Sequence, residues 1–475
     1  MIYCLIIGCL LFLILATWRP DWTIFLLVLL LPAYQIRFQI FGLPTTGLEI
    51  MILIIFLVSL VKNRFKGWRI NLGPWRWLIL AWLLVGLLGV AIAPDRLGAL
   101  GYWRAYFLEP ILLLMVIMDL LAKNRLSKNH IIFGLGLSAL ICAVWAISQK
   151  WLGGGVMSAE VWGAPKVWRA TGPFPQPNFL GLYIGPIALL CFGQFVQYFK
   201  NKGYSTMQQS SVHTGRFASP ISIAAAEPRG IKPCVSSSLR GSVKTSFFTS
   251  LLARQNKKWL AIFYAATFIL SLVAVILARS DGTMLGIVAG LIFLGLYWGK
   301  SRRPTIIMVT AIILIIFLIP TTRHFMLERI TFHKLSGQLR LNIWQGAWTM
   351  IKSHPIVGVG LRNYQKLAPQ YQEFYYQPQT GQLISTETHP YPHNLFLAIW
   401  VELGLLGLLA FLALLIKFFG QGYKIVKTNL STPLITISIM AALVVVLAHG
   451  LVDTPYFKND LSTLFWLIVG LLITL

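Results

Sequence analysis

The sequence predicts an all-α membrane protein, a polytopic bundle of 12 or 13 helical spans with a large external helical loop. Three observations predict it. Of 475 residues, 57% are hydrophobic and only 11% are charged, whereas an ordinary soluble domain is about a quarter charged. The mean hydropathy is +0.73, and the apolar residues gather in runs of helical span length, without the alternation of a barrel strand. Finally, 40 Lys and Arg stand against 14 Asp and Glu, a formal charge of +26. On a soluble chain that excess points to nucleic acid. Here there is no zinc-finger, RNP or helix-turn-helix pattern, so a soluble enzyme and a nucleic-acid binder are both excluded.

The runs lie at about 2–17, 22–36, 46–61, 77–93, 106–122, 131–149, 179–199, 259–278, 282–299, 304–320, 395–419, 434–452 and 460–475. The first two are short and the second is a candidate re-entrant segment, which leaves the count and the side of the N-terminus open. No Lys or Arg precedes the first run and no small-residue cleavage site follows it, so a retained span is expected rather than a signal peptide. Cys4, Cys9, Cys142 and Cys191 fall in apolar runs and Cys234 in a basic segment, which gives neither a disulfide framework nor a metal set.

Cytoplasmic connections are enriched in Lys and Arg. One alternating set of connections holds 24 basic residues and the opposite set 15. The denser set is therefore cytoplasmic, and so is the C-terminus. Three parts follow: an N-terminal transmembrane bundle over 1–199, a basic cytoplasmic loop over 200–258, and a C-terminal transmembrane domain over 259–475 that includes an external loop at 321–394. The 200–258 loop has one acid, Glu227, against ten bases. It reads as disordered and attractive to anionic lipid headgroups.

The external loop is where chemistry is expected, because it is rich in Tyr and Trp and carries helical spacing from Leu339 to Ser353. Arg340, Trp344 and Ala347 share a helix face, so Arg340 either projects into a site or snorkels toward headgroups. His389 and His393 have the spacing of a helical zinc pair, but Pro390 and Pro392 break that helix and no Glu lies between the histidines; no metal site is expected. His393 instead sits just above a span that Asn394 begins as a cap, where a near-neutral imidazole can take or relay a proton. Gly358-Val-Gly360 lacks the strand and third glycine of a dinucleotide site. Leu43-Pro-Thr-Thr-Gly47 spells a sorting signal in the wrong place.

The Arg340-X-X-X-Trp344 helix, His354-Pro-Ile-Val-Gly-Val-Gly360, and His393-Asn394 before a span with Glu402-X-Gly-X-X-Gly407 together resemble the O-antigen ligase and polymerase superfamily, the Wzy_C domain. The resemblance covers about Lys257 to Leu475, and Arg169-Ala-Thr-Gly-Pro-Phe-Pro-Gln-Pro-Asn178 resembles a further external loop of the family. It implies a GT-C-like helical bundle and a membrane glycosyltransferase that acts on the external or periplasmic face of the cytoplasmic (inner) membrane. The donor it implies is an undecaprenyl-pyrophosphate-linked glycan, and the acceptor a lipid, polysaccharide or protein hydroxyl. Lipopolysaccharide or other cell-envelope polysaccharide biosynthesis is the setting, with no cofactor and no metal.

Matched to the family's positions, Arg340 and Arg279 fall to the pyrophosphate and His393 to the acceptor hydroxyl or the pyrophosphate. Arg169, Asn178, Trp344, Asn394 and Glu402 are expected to contact substrate. The chemistry agrees with the residue types: guanidinium forks suit phosphate oxygens, and a positioned histidine can accept the hydroxyl proton. At Ala278-Arg279-Ser280-Asp281-Gly282 the sequence departs from the family's Ser-Arg-Gly, since Arg279 is displaced by two residues and can instead pair with Asp281. Asn178 reads more simply as the cap of the helix starting at Phe179. Glu109 heads a span with Arg104 as its candidate partner, and His449 and Asp453 read as a structural i,i+4 hydrogen bond. The alternative to an enzyme is a transporter of a small anion such as bicarbonate, which calls for paired acids, discontinuous helices and internal repeats; no repeat is evident.

Overall fold

The computed structural model describes residues 2–40, 43–63, 67–159, 166–213, 257–298, 302–318, 335–371, 375–376, 383–385, 389–428 and 433–475. Every apolar run read from the sequence is helical within them. In chain order the helices are α1 (Ile2–Trp18), α2 (Pro20–Leu29), α3 (Gly47–Asn63), α4 (Trp75–Ile92), α5 (Arg96–Trp103), α6 (Glu109–Ala122), α7 (Lys128–Leu152) and α8 (Pro177–His213). Then come α9 (Lys257–Ala278), α10 (Asp281–Trp298), α11 (Arg303–Leu318), α12 (Leu335–Ser353), α13 (Tyr364–Tyr371), α14 (Leu395–Thr428), α15 (Pro433–His449) and α16 (Asn459–Ile473). Among the described residues six helical stretches are long and apolar enough to cross a membrane, and five further apolar helices are shorter. Among the described residues strand is confined to three two-stranded hairpins: β1 (Arg37–Ile40) with β2 (Leu43–Thr46), β3 (Val156–Ala159) with β4 (Lys166–Arg169), and β5 (Tyr375–Tyr376) with β6 (Leu383–Ser385). The chain is a polytopic all-α membrane protein.

Local signals place the helix ends. Pro20 and Pro110 sit in first turns, where a missing N–H costs nothing. Ser127 and His130 form a reciprocal capping box at the start of α7. The centre of the bundle is α8, α15 and α16, with α9 and α10 packed on α8 and α15. Gly286 permits the approach of α10 to α15, because a Cβ there would lie 2.8 Å from the Val445 carbonyl. Among the membrane helices one buried hydroxyl joins four elements. Tyr456 Oη accepts from Trp82 Nε1 at 2.8 Å and Trp466 Nε1 at 3.1 Å, and donates to the Tyr106 carbonyl at 3.0 Å.

The first two runs form two separate helices, α1 and α2. Lys62, at the end of α3, donates to the Thr17 carbonyl at the end of α1, so both helices finish at one face and α2 returns between them. A one-turn 3-10 helix over Leu31–Gln35 extends α2 toward the opposite face. Of the basic loop expected over 200–258, the first part continues α8 through His213, and 214–256 lie outside the described residues. Of the external loop expected over 321–394, 321–334 also lie outside; α12 and α13 supply the expected helical part.

The feature that shapes this end of the molecule is a break in α14, whose 34 residues are two helical stretches meeting at a kink. At Gly404 the backbone leaves helical geometry (φ 68°, ψ −170°). The freed groups bond to the 355–360 segment: Val359 N to Val401 O at 2.8 Å, Gly360 N to Glu402 O at 3.1 Å, and Leu405 N to Pro355 O at 2.9 Å. Only glycine fits the crossing, since a Cβ on Gly404 would stand 2.1 Å from the Ile356 carbonyl. The His354–Gly360 motif is thus a backbone clamp on a broken helix, which gives Gly358 and Gly360, at φ 76° and 90°, a structural purpose.

Candidate functional site

The site is built at the C-terminal end of α15, on the turn 450–454 that leads toward α16. Asn394 joins that turn to α14: its amide donates to the Leu451 carbonyl at 3.0 Å, while its oxygen accepts the N–H groups of Phe396 and Leu397, both at 3.0 Å. The cap expected of Asn394 is therefore present. The next residue back, His393, adopts φ 47°. A side chain in the left-handed region costs of order 1–3 kcal/mol, a cost met mostly where the aim of the side chain matters.

That aim is at Asp453. His393 Nδ1 lies 3.3 Å from Asp453 Oδ1, which also accepts Thr454 N–H at 2.8 Å, and His449 Nε2 stands 4.0 Å from Oδ2. Burial pushes the Asp453 carboxyl up, but the hydrogen bond and charge of His393, with His449 and the Thr454 N–H behind them, outweigh it and hold Asp453 well below the usual carboxylate range. With Nδ1 facing a carboxylate, His393 keeps its proton there and leaves Nε2 as the basic nitrogen. The His393 side chain is 23% exposed and that of Asp453 4%, so only the imidazole reaches a ligand. Tyr391 and His389 flank it, with ring centroids 5.9 Å and 4.8 Å from that of His393.

Arg340 comes to the same turn from α12. Its Nε donates to the Val452 carbonyl at 3.2 Å, one residue from Asp453, and Trp344 follows one helical turn along. Arg279 approaches from the other side, exposed on the turn between α9 and α10 at φ 47°. Arg279 and Asp281 do not pair with each other; Asp281 instead begins α10. The turn is linked to the histidines through Ser280 Oγ, 2.8 Å from Thr283 Oγ1, which is 3.4 Å from His449 Nδ1. Gly282 makes room, since a Cβ there would meet His449 Cδ2 at 2.5 Å.

Behind Arg279 stands Arg169, at the end of β4. Its Nε donates to the Ala278 carbonyl at 2.8 Å, and its Nη2 to the Arg279 carbonyl at 3.2 Å and Asn178 Oδ1 at 3.0 Å. Asn178 thus holds Arg169 rather than capping α8. Gln149 clamps the intervening loop through the N–H groups of Thr171 and Gly172, both at 3.0 Å. Arg340, Arg279, His393, Arg169, Asn178, Trp344 and Asn394 therefore gather around the C-terminal end of α15 and the starts of α10 and α12. Glu402 does not join them. It is buried beside the α14 break, where the N–H groups of Arg362 and Tyr364 point at it.

The sequence reading named Asp453 only as the i,i+4 neighbour of His449, whereas its closer partner, His393, is 60 residues away. Two further residues of this region, Lys458 and Asp460 at the head of α16, escaped it. The Lys458 ammonium lies 3.5 Å from the Phe179 ring centroid, 4.8 Å from that of Tyr34, and 3.9 Å from Asp460 Oδ1. Burial pushes it down to about 8 against the pull of Asp460 and Asp453. Nearby, Arg104 ties Glu49 at 2.6 Å to Glu109 at 3.2 Å, as the Arg104–Glu109 spacing suggested, and Asn459 Nδ2 joins Glu49 at 2.6 Å.

A comparison with curated proteins finds no match. The family model Wzy_C, described as O-antigen ligase, matches residues 266–412, from within α9 to just past the α14 break, and so includes Arg279, Arg340 and His393. Over residues 266–412 the chain is therefore similar to the O-antigen ligase family.

Proposed function

We propose that the protein is a membrane glycosyltransferase of ligase or polymerase type that moves a glycan from an undecaprenyl-pyrophosphate donor to an acceptor hydroxyl. The site faces the outside of the cytoplasmic membrane, with the C-terminus cytoplasmic. The observation that carries the reading is the His393–Asp453 pair with Arg340 bound one residue away, at Val452. It supplies a base and a cation at one place, which is what the reaction needs.

In this reading the acceptor oxygen attacks the anomeric carbon, with inversion, and its proton passes to His393 Nε2. The bond from that carbon to the pyrophosphate oxygen breaks, and the electron pair leaves with the pyrophosphate. Arg340 and Arg279 stabilise that growing charge, for which fixed guanidinium forks are suited. Arg169 acts through backbone carbonyls and Asn178, so its part is to hold the Arg279 turn. Protonated His393 beside the Asp453 carboxylate is stabilised electrostatically, which favours proton uptake. Neither nucleotide nor metal takes part in these steps.

The transporter reading has one feature in its favour, the discontinuous α14. The break is filled by backbone from 355–360 rather than opened to an ion path, and Glu49 and Glu109 are both held by Arg104. Reconstitution with a purified undecaprenyl-pyrophosphate glycan and candidate hydroxyl acceptors tests the choice. Transfer by the wild type, lost in Arg340→Ala and His393→Ala at equal protein level, supports the enzyme. Unaltered transfer in both variants defeats the site assignment, and anion uptake without transfer favours the transporter.

A further inference from the structure

On the face opposite this site, where α6 and α16 end and α7 begins, lies a cavity of about 540 Å³. Ligand-holding cavities usually fall in the ~300–1,000 Å³ range. Two cations line it, Arg69 and Lys128, together with the polar Asn71 and Asn129 and the apolar Met118 and Leu121. No acid is in its lining. The nearest carboxylate in sequence, Asp119, is buried and already occupied by Lys123 Nζ at 2.7 Å, Asn63 Nδ2 at 3.1 Å and the Arg69 N–H at 2.7 Å. Lys128 Nζ bonds a neutral carbonyl, that of Thr474, at 2.5 Å, so its charge is not cancelled. The exposed Arg69 guanidinium has no ion pair among the described residues.

We propose that this cavity binds the phosphate of an anionic membrane lipid, with Arg69 and Lys128 on the phosphate oxygens and the Met118–Leu121 side against the glycerol and first acyl carbons. The charge bias of this face orients the chain whether or not a cavity exists. A concave, acid-free site lined by both two cations and apolar side chains goes further, because it matches a headgroup in charge and in amphiphilic character. A soluble phosphate satisfies the cations but leaves the apolar wall uncovered. The site is remote from His393, so the inference stands apart from the transferase reading.

Native mass spectrometry of the full chain in detergent, titrated separately with phosphatidylglycerol, phosphatidylcholine and inorganic phosphate, tests it. Arg69→Gln is the safe variant, since that side chain supports no mapped contact; the Arg69→Gln/Lys128→Gln pair removes both cations. The expected result is one phosphatidylglycerol held in preference to phosphatidylcholine and weakened roughly tenfold by each substitution. Equal phosphatidylglycerol retention by wild type and both variants, or equal retention of the two lipids, overturns the proposal. So does inorganic phosphate displacing phosphatidylglycerol at matched concentration, which assigns the cavity to a soluble anion.

Discussion

Replacing Asp453 by Asn keeps the shape of the site and removes the charge that faces His393. In the native chain Asp453 Oδ1 stands 3.3 Å from His393 Nδ1 in a setting where the carboxylate side chain is only 4% exposed. A hydrogen bond to a charged partner contributes about 1.5–3 kcal/mol, which is roughly 10- to 150-fold in a rate that depends on it. The asparagine amide can also donate to Nδ1, which leaves the proton on Nε2 and turns the base away from its task. Glycan transfer by Asp453→Asn in lipid nanodiscs, under saturating donor, is expected to fall by that factor. His393→Ala should lose more, about 10²–10⁴-fold. The double variant should be no worse than His393→Ala, because Asp453 acts through the imidazole. If Asp453→Asn transfers within threefold of wild type, or if the two losses multiply, the dyad reasoning is wrong.

Further outcomes follow from other contacts. Arg340→Lys keeps the charge but not the fork, and should recover little of the transfer lost in Arg340→Ala, read as initial rates against donor concentration. Transfer should persist after dialysis against a strong chelator, since the proposed steps use arginines and a histidine alone. Tyr456→Phe strands the Trp82 and Trp466 donors, and should cost ~2–4 kcal/mol in detergent unfolding. The Lys458 ammonium titrates near 8 when folded against its ordinary 10.5. The unfolded chain therefore holds the extra proton between those values, and stability should rise with pH across that window by at most about 3 kcal/mol. A Lys458→Met/Asp460→Leu variant should lack that part of the rise, as followed by melting temperature at matched pH.

The spans were legible because composition and length alone decide them: with no water to satisfy the backbone, an apolar run of that length is helical. The convergence of Arg340, Arg279 and His393 on one outer face followed from alternation and charge bias, and the structure brings them to the same end of α15. The α14 break was not legible. The apolar period runs straight through Gly404, and what makes the break tolerable is pairing with residues 355–360, which no local pattern announces. Asn178 looked like a cap because it precedes an apolar run, but the β3–β4 hairpin delivers Arg169 to its side chain and tertiary contact prevails. Asp453 shows the same limit. Its i,i+4 spacing to His449 suggested a helical pair, yet that pair is 4.0 Å apart and the shorter contact is to His393.

In the proposed reaction the centre at the end of α15 expels a lipid pyrophosphate when it moves a glycan. The most direct measurement is the paired release of undecaprenyl pyrophosphate and formation of transferred glycan in proteoliposomes loaded with purified donor. One released carrier per glycan transferred is expected of wild type, and neither product of Arg340→Ala. Carrier release without glycan transfer, or equal release by Arg340→Ala, would contradict it.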